Sequence, residues 1–395
     1  MKVLQVFPLF SLPHGGGTVA LLYKLSEALA KREHEVVIYT SNFELDQKYI
    51  DSLSGVTVYP FRCLSSLAGF YLMPGIIREA KRKLKNFDII HLHCYRSFQN
   101  IVIHHYARKY GIPYVVDAHG SIPRAAGEKK DFKWSLKWLF DIIFGDKILR
   151  DASKVVAETG VGVSEYQKLG VNHDKIILLT PPLDTEEFSQ LPPPGLFRRR
   201  YNIKERHILL FLGRIHWIKG LDFLVESFYK LVQSRSDVLL VIVGSDDGYK
   251  PSLDRLIDRL DLRDKVLFTG FLGGTEKLSA LVDADVLVQT SIYEQGTGVP
   301  FEAILCNTPI IVSKNSGSGE NISRIDAGYL VEWGNKNELS NTIQYVLDNP
   351  TEAQNKTQKA REYIKSNLSW AKGIEKYESL YARCIEENNL IMRGR

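Results

Sequence analysis

Short apolar runs and amphipathic stretches alternate along most of this chain. In the first half the apolar runs fall at residues 2–7, 35–40, 56–60, 88–92, 113–117, 153–157 and 175–179. Each is brief and bounded by polar or turn residues, so each predicts a strand. Helical periodicity fills several gaps, at 18–31, 75–85 and 97–110. Proline clusters follow, at Pro181-Pro182 and at Pro192-Pro-Pro-Gly195, and these suit a linker. The alternation then restarts, with strands at 207–212, 238–243, 265–268, 285–289 and 309–312 and helices near 221–233, 251–260 and 276–282. Beyond Tyr329-Leu-Val331 the pattern is helical to the end. Such alternation predicts an α/β protein with parallel sheets covered on both faces. Two blocks predict two doubly wound, Rossmann-like domains, with ligands at the carboxyl ends of the strands in a cleft that the domains face.

Composition adds little to that picture. Hydrophobic residues make up 44% and charged residues 25% of the 395 positions, ordinary values for a globular protein. No apolar run approaches the roughly 18 residues of a membrane-spanning helix. The first residues read as a strand rather than a secretory leader, which predicts a cytoplasmic protein. Four cysteines, Cys63, Cys94, Cys306 and Cys384, lack paired spacing, as expected of a reduced compartment. The net charge of +5 is uneven. Residues 1–200 hold 27 Lys+Arg and 20 Asp+Glu, giving +7, and the remainder gives −2. A basic first half suits an anionic membrane, a nucleic acid or a phosphorylated acceptor, and equally a solvated surface.

The densest chemistry lies in Ser291-Ile-Tyr-Glu294-Gln-Gly-Thr-Gly298-Val-Pro-Phe-Glu302, between two apolar runs. The order reads strand, glycine-rich turn, helix, strand. The turn would leave amide groups free at a helix N-terminus, an anion site, with Glu294 at its mouth and Glu302 inside the helix. Carboxylates beside a phosphate cradle suit hydroxyl-rich ligands. Arg214 follows a predicted strand and Lys219 precedes a predicted helix, so both point toward the same edge; together they suit a diphosphate. Gly15-Gly16-Gly17 follows the first strand and allows close approach of substrate to backbone. Asp117-Ala-His119-Gly120 ends another strand. His91 and His93 read as structural. Asp283-Ala-Asp285 resembles a metal-binding pair but falls at the amino end of its strand, away from the ligand edge. No cluster has metal-ligand spacing, and no metal is expected. A P-loop, a dinucleotide fingerprint and a nucleophile elbow are all missing. Residues 132–144, rich in Trp, Phe and Lys, read as a core helix in preference to a membrane-interface helix. Residues 61–73 read as an apolar loop, followed by Arg78, Lys81, Arg82, Lys83 and Lys85 on a helix. These are two separate hints of a lipid surface.

Taken together, these residues resemble the retaining glycosyltransferases of family 4 (glycosyl transferases group 1), with the GT-B fold. The likeness spans nearly the whole chain and is strongest in Glu294…Glu302, Gly213-Arg214…Lys219-Gly220 and Gly328-Tyr-Leu-Val331…Gly334. It implies an N-terminal acceptor-side domain (1–190), a C-terminal nucleotide-sugar-binding domain (200–366), and a last helix (367–395) crossing back to the first domain. It implies that Arg214 and Lys219 clamp a diphosphate, that Glu294 holds hydroxyls of the donor sugar, and that Glu302 binds the ribose. Thr297, Gly298 and Val299 would offer backbone contacts, and Gly270 and Phe271 would flank the base. His119 would lie by the donor sugar and reacting centre, and Gly16 and Gly17 where donor and acceptor meet. The implied reaction moves sugar from a nucleotide-diphosphate sugar to a hydroxyl with retention, without a cofactor. The acceptor would be a sugar or a lipid-linked sugar in cell-surface polysaccharide, lipopolysaccharide or glycolipid synthesis, with peripheral contact to the inner, anionic membrane face and no nucleic acid. The rivals are a GT-B epimerase or phosphorylase, and a non-enzymatic membrane or nucleic-acid binder. The chain departs from the family pattern at Gln295-Gly-Thr297, at Pro181-Pro-Leu-Asp184, and at Glu158-Thr-Gly160.

Overall fold

The computed structural model of the protein describes residues 1–67, 69–122 and 132–394. They form two compact units: Met1–Pro182 together with Trp370–Arg395, and Leu183–Ser369.

The first unit contains β1 (Lys2–Leu9), β2 (Glu35–Ser41), β3 (Val56–Phe61), β4 (Ser65–Leu67), β5 (Phe70–Leu72), β6 (Ile89–His93), β7 (Tyr114–Asp117), β8 (Lys154–Ala157) and β9 (Ile176–Leu178). Among the described residues, seven of these make one sheet in the order β3-β2-β1-β6-β7-β8-β9. Every pairing in it is parallel. The winding direction reverses between β1 and β6, which opens a crevice at their carboxyl ends. The helix Phe98–Tyr110 shows how local chemistry sets the boundaries. The Ser97 hydroxyl accepts from the Asn100 amide at its start, and Gly111 adopts φ 68° at its end. The last helix, Trp370–Arg393, buries Ile374, Tyr377, Leu380, Tyr381 and Cys384 against Val3, Val36, Ile89, Val115 and Val156. Their spacing of three to four residues lays one apolar stripe across the sheet. The chain's final helix is therefore part of its first unit.

The second unit contains β10 (His207–Leu212), β11 (Val238–Val243), β12 (Val266–Gly270), β13 (Val286–Gln289), β14 (Ile310–Ser313) and β15 (Tyr329–Val331). They form a parallel sheet in the order β12-β11-β10-β13-β14-β15. Side chains alternate between its two cores. Leu209, Phe211, Leu240 and Ile242 enter one, and Ile208, Leu210, Val241 and Val243 enter the other. Burial on both faces explains why these strands are continuously apolar. Here the reversal falls between β10 and β13.

Three expectations need correction. Pro192–Gly195 is no linker, because it lies inside the second unit. The Gly195 and Arg198 amides both donate to the Asp283 carboxylate, and Phe188 and Phe197 flank the segment in the core. Asp283 and Asp285 are thereby given structural work: Asp285 accepts from the Ile208 amide at 2.8 Å, at the amino end of β10. Residues 61–73 are not a simple loop. They include the antiparallel β4–β5 hairpin and end at the fully buried Met73. Residues 132–144 are not a core helix. The helix Phe132–Phe140 widens into a π-helical turn, Asp141–Gly145. Phe140, Asp141 and Gly145 face inward, while Leu136, Trp138, Leu139, Ile142, Ile143 and Phe144 are exposed. Two contacts hold the inward side: Arg96 donates to Asp141 twice at 2.8 Å, and Phe140 packs on Phe70 and Tyr95. The side chains of residues 132–134, including Trp134, lie outside the described set.

Candidate functional site

In the second unit the loops after β10 and β13 flank the crevice where the winding reverses. Arg214 and Lys219 come from the first loop and Glu294 from the second. Gly270 ends β12, and Phe271 just beyond it is 76% exposed. All the strands are parallel, so these residues share one sheet edge.

Lys219 is ion-paired with Glu294, and the Ser291 hydroxyl donates to the same carboxylate at 3.3 Å. Backbone contacts hold the two loops together. The Ile292 amide donates to the Ile218 carbonyl at 2.8 Å, and the Thr290 hydroxyl donates to the carbonyls of Lys219 and Gly220. Gly220 makes this approach feasible. It sits at φ 63°, and a Cβ there would meet the Thr290 carbonyl oxygen at 2.2 Å. Arg214 is placed elsewhere along the edge, on Asp247.

The helix Gly298–Leu305 begins after Thr297 and has no side-chain cap. The Thr297 hydroxyl is turned away, accepting from Asn321 at 2.8 Å. The amides of Gly298 and Val299 thus stand in an uncapped first turn, where the helix dipole favours an anion. Glu302 lies further along this helix. It pairs with Lys277 at 3.1 Å, and Glu187 lies 3.7 Å from the same ammonium. Burial raises the Glu302 pKa and Lys277 opposes the rise. The two glutamates thus hold different cations.

The first unit gathers a second polar cluster at the carboxyl ends of β6, β7 and β8. His119 follows β7 at φ 44°, and Cys94 follows β6 at φ 65°. Left-handed backbone is uncommon for residues with a Cβ and persists where the surroundings hold it. It is held by the Cys94 amide donating to the Asp117 carbonyl at 2.8 Å, and by the Ser121 hydroxyl bridging the Tyr95 amide and the Ala118 carbonyl. His119 Nδ1 lies 3.2 Å from Asp117 and 3.3 Å from Glu158. Its Nε2 lies 2.8 Å from His93 Nδ1, with the two rings parallel. Burial opposes charge on His119, but Asp117 and Glu158 outweigh it and raise the pKa. Burial and the neighbouring Glu158 lift Asp117 to about 6. Ligand-type atoms of Asp117, His119 and Glu158 lie within 4.8 Å of one another, a proximity that chain spacing does not reveal. His119 Nδ1 stands within ion-pair distance of both carboxylates, the arrangement of an ion-paired histidine. Gly16 and Gly17 follow β1 at the reversal of this sheet. Both are exposed, and Gly16 breaks its helix at φ 51°, ψ −135°.

The model of glycosyl transferases group 1 matches residues 196–365, and that of glycosyltransferase family 4 matches residues 15–187. The chain belongs to glycosyltransferase family 4. An uncharacterised glycosyltransferase of Methanocaldococcus jannaschii is 25% identical, over 94% of this chain and 95% of its own. A D-inositol 3-phosphate glycosyltransferase of Catenulispora acidiphila is 26% identical, over 94% of this chain and 91% of its own. Among solved structures, HepE of Anabaena in complex with UDP and glucose superposes with a TM-score of 0.79 at 17% identity, covering 97% of this chain and all of that one. That likeness shows the GT-B fold. This family 4 enzyme is accordingly a retaining glycosyltransferase that takes its sugar from a nucleotide-sugar.

Sequence reasoning missed several partners of the transferase's candidate residues. His93, read as structural, bonds directly to His119. Glu158 stood out only as a departure from the family pattern. Lys277, Glu187 and Asp247 carried no signal at all, because they reach Glu302 and Arg214 from distant parts of the chain. For Asp117 there was a weak one: it lies two residues before His119 at a strand end.

Proposed function

We propose that Lys219 and Arg214 bind the diphosphate of the donor, that Glu294 grips hydroxyls of the sugar being transferred, and that Glu302 grips the ribose. The observation that carries this reading is the Lys219–Glu294 pair at the reversal of the second sheet. A cation for the phosphate and a carboxylate for the hydroxyls lie side by side there, near the uncapped helix at Gly298 and Val299. Negative charge grows on the leaving diphosphate in the transition state. Lys219, Arg214 and the Gly298 and Val299 amides would stabilise it, each such contact supporting the rate by roughly 10²–10³. Thr297 shapes this turn, and Gly270 and Phe271 border the base. In the first unit, His119 would place its charge near the reacting centre, and Gly16 and Gly17 would let donor and acceptor approach the backbone. The leaving phosphate takes the acceptor proton in a front-face route that needs no metal. Screening nucleotide sugars for thermal stabilisation would identify the donor. Lys219→Ala and Arg214→Ala should remain folded and lose nearly all transfer; turnover at the wild-type rate in either would overturn the clamp.

The acceptor on this reading is a lipid-linked sugar at an anionic membrane face, as in cell-surface polysaccharide, lipopolysaccharide or glycolipid synthesis. Two apolar features far apart in sequence support it by being neighbours. Phe70 of the β4–β5 hairpin packs on Phe140 with ring centroids 6.3 Å apart, beside the exposed Trp138, Leu139, Ile142 and Ile143. Exposed Lys147 and Arg150 follow on the same helical run. An apolar face with adjoining cations suits an anionic bilayer surface, and no described helix is long and apolar enough to cross a membrane. Sedimentation with anionic vesicles at low salt should capture the wild type and not Ile142→Glu/Ile143→Glu. Wild-type protein left in the supernatant would remove the membrane from the reading.

A further inference from the structure

The cluster around His119 continues inward as an unbroken hydrogen-bonded line. His119 Nε2 meets His93 Nδ1 at 2.8 Å, and His93 Nε2 meets Gln5 Oε1 at 2.7 Å. Gln5 Nε2 meets the Tyr381 hydroxyl at 3.3 Å, and that hydroxyl meets His91 Nδ1 at 2.7 Å. Gln5, His91 and Tyr381 are completely buried, and His93 very nearly so. The line joins β7, β6, β1 and the last helix, and every member lies in the first unit.

The direction of each bond follows from what each atom can do. The Gln5 carbonyl oxygen only accepts, so His93 Nε2 carries a proton. Burial keeps His93 neutral, with His91 and His119 adding to the effect, so its Nδ1 is a bare acceptor. His119 Nε2 must therefore donate. His119 Nδ1 lies between Asp117 and Glu158, which above pH 6 are carboxylates that only accept, so there it must donate too. A histidine that donates from both nitrogens is an imidazolium. Further in, the Gln5 amide donates to the Tyr381 oxygen, which is also bonded to Nδ1 of His91, kept neutral by burial at a pKa of about 3. From His119 to Tyr381 every donor thus points inward, and bonds aligned in one sense polarise one another.

We propose that His93, Gln5 and Tyr381 are positioning residues whose one-way line of donors holds His119 as an imidazolium facing the reacting centre. The functional half of this rests on the placement of His119 proposed above. An imidazolium with both N–H groups engaged cannot act as a general base. Its contribution is a fixed positive charge and a fixed ring orientation. The titratable groups around it are Asp117 on its own strand, Glu158 after β8, His93 and Cys94 at the end of β6, His91 within β6, and the phenols of Tyr166, Tyr377 and Tyr381. Losing the Gln5 carbonyl would let His93 move its proton to Nδ1. His119 Nε2 would then face a donor and give up its own proton more readily.

The test is ¹⁵N-histidine NMR titration of the whole protein, combined with the pH profile of kcat/KM. Gln5→Leu and Tyr381→Phe should lower the His119 pKa, the first by roughly one unit or more, as loss of a bond supporting a charged group implies. Gln5→Glu, which keeps an acceptor toward His93, should restore the wild-type value or exceed it. The alkaline limb of kcat/KM should move by the same amount while KM for the donor changes less. A His119 pKa unmoved in both folded variants would overturn the relay. A displaced pKa with an unmoved activity profile would uphold the relay and overturn the placement of His119 at the reacting centre. If Gln5→Leu does not fold, Tyr381→Phe, which removes one oxygen, decides the question alone.

Discussion

The pairing of Lys219 with Glu294 makes opposite predictions for two conservative substitutions. Lys219→Gln removes the charge proposed to hold the diphosphate. A hydrogen bond to a charged group contributes about 1.5–3 kcal/mol, so a nucleoside diphosphate should bind roughly 10–150-fold more weakly. Glu294→Gln removes a carboxylate that, in the free protein, competes with the diphosphate for Lys219. The side chains are 17% and 27% exposed, so solvent partly screens the pair and it contributes about 0.5–1 kcal/mol. Freed of that competitor, Lys219 should bind the nucleoside diphosphate unchanged or up to about 2–5-fold tighter. The intact nucleotide sugar should behave differently, since Glu294→Gln loses the grip on the sugar hydroxyls and transfer falls with it. Calorimetric titration of both variants with the nucleoside diphosphate that best stabilises the wild type, and then with its sugar ester, reads all four affinities. If Glu294→Gln weakens the bare diphosphate as much as Lys219→Gln does, the division of labour between the two residues is wrong.

Lys277→Met leaves Glu302 and Glu187 without their shared cation. Complete burial would put the cost at about 3–5 kcal/mol, but the pair retains some exposure and about 1–3 kcal/mol is expected. Thermal unfolding should show the loss, and adding Glu302→Gln should restore part of it; a double variant no more stable than the single would rule this out. Gly220→Ala must move the Thr290 carbonyl and adopt a left-handed φ, which should cost about 1–3 kcal/mol in denaturant titration and weaken nucleoside-diphosphate binding. The His119 pKa is raised above its unfolded value of 6.5, so its stabilising contribution is full below pH 6.5 and fades as pH rises through the folded value. The melting-temperature gap between wild type and His119→Asn should therefore narrow from pH 6.5 to pH 9, and a gap constant across that range would contradict an ion-paired His119.

Periodicity alone determined the α/β class and the two-block organisation, because strands buried on both faces must be continuously apolar. The loops carrying Arg214, Lys219, His119 and Glu294 were legible for a related reason: parallel strands put all their carboxyl ends on one edge. The family's pattern was also legible, in motifs that are local in sequence. Tertiary structure decided what those motifs touch. Glu294 and Glu302, eight positions apart on one segment, are held by different lysines, one from the loop after β10 and one from the helix Gly274–Asp283. The Trp-rich segment 132–144 has helical period whether its apolar side faces in or out. Contacts from distant parts of the chain decide which side faces in: Arg96 bonds Asp141, and Phe140 packs on Phe70 and Tyr95. The line from His119 to Tyr381 spans more than 260 positions and has no periodicity or motif. It exists because the last helix returns to the first sheet and sets a phenol against Gln5 of β1 and His91 of β6. Sequence patterns report the environment a residue needs, whereas charge pairing and proton positions depend on which distant atoms folding brings within 3 Å.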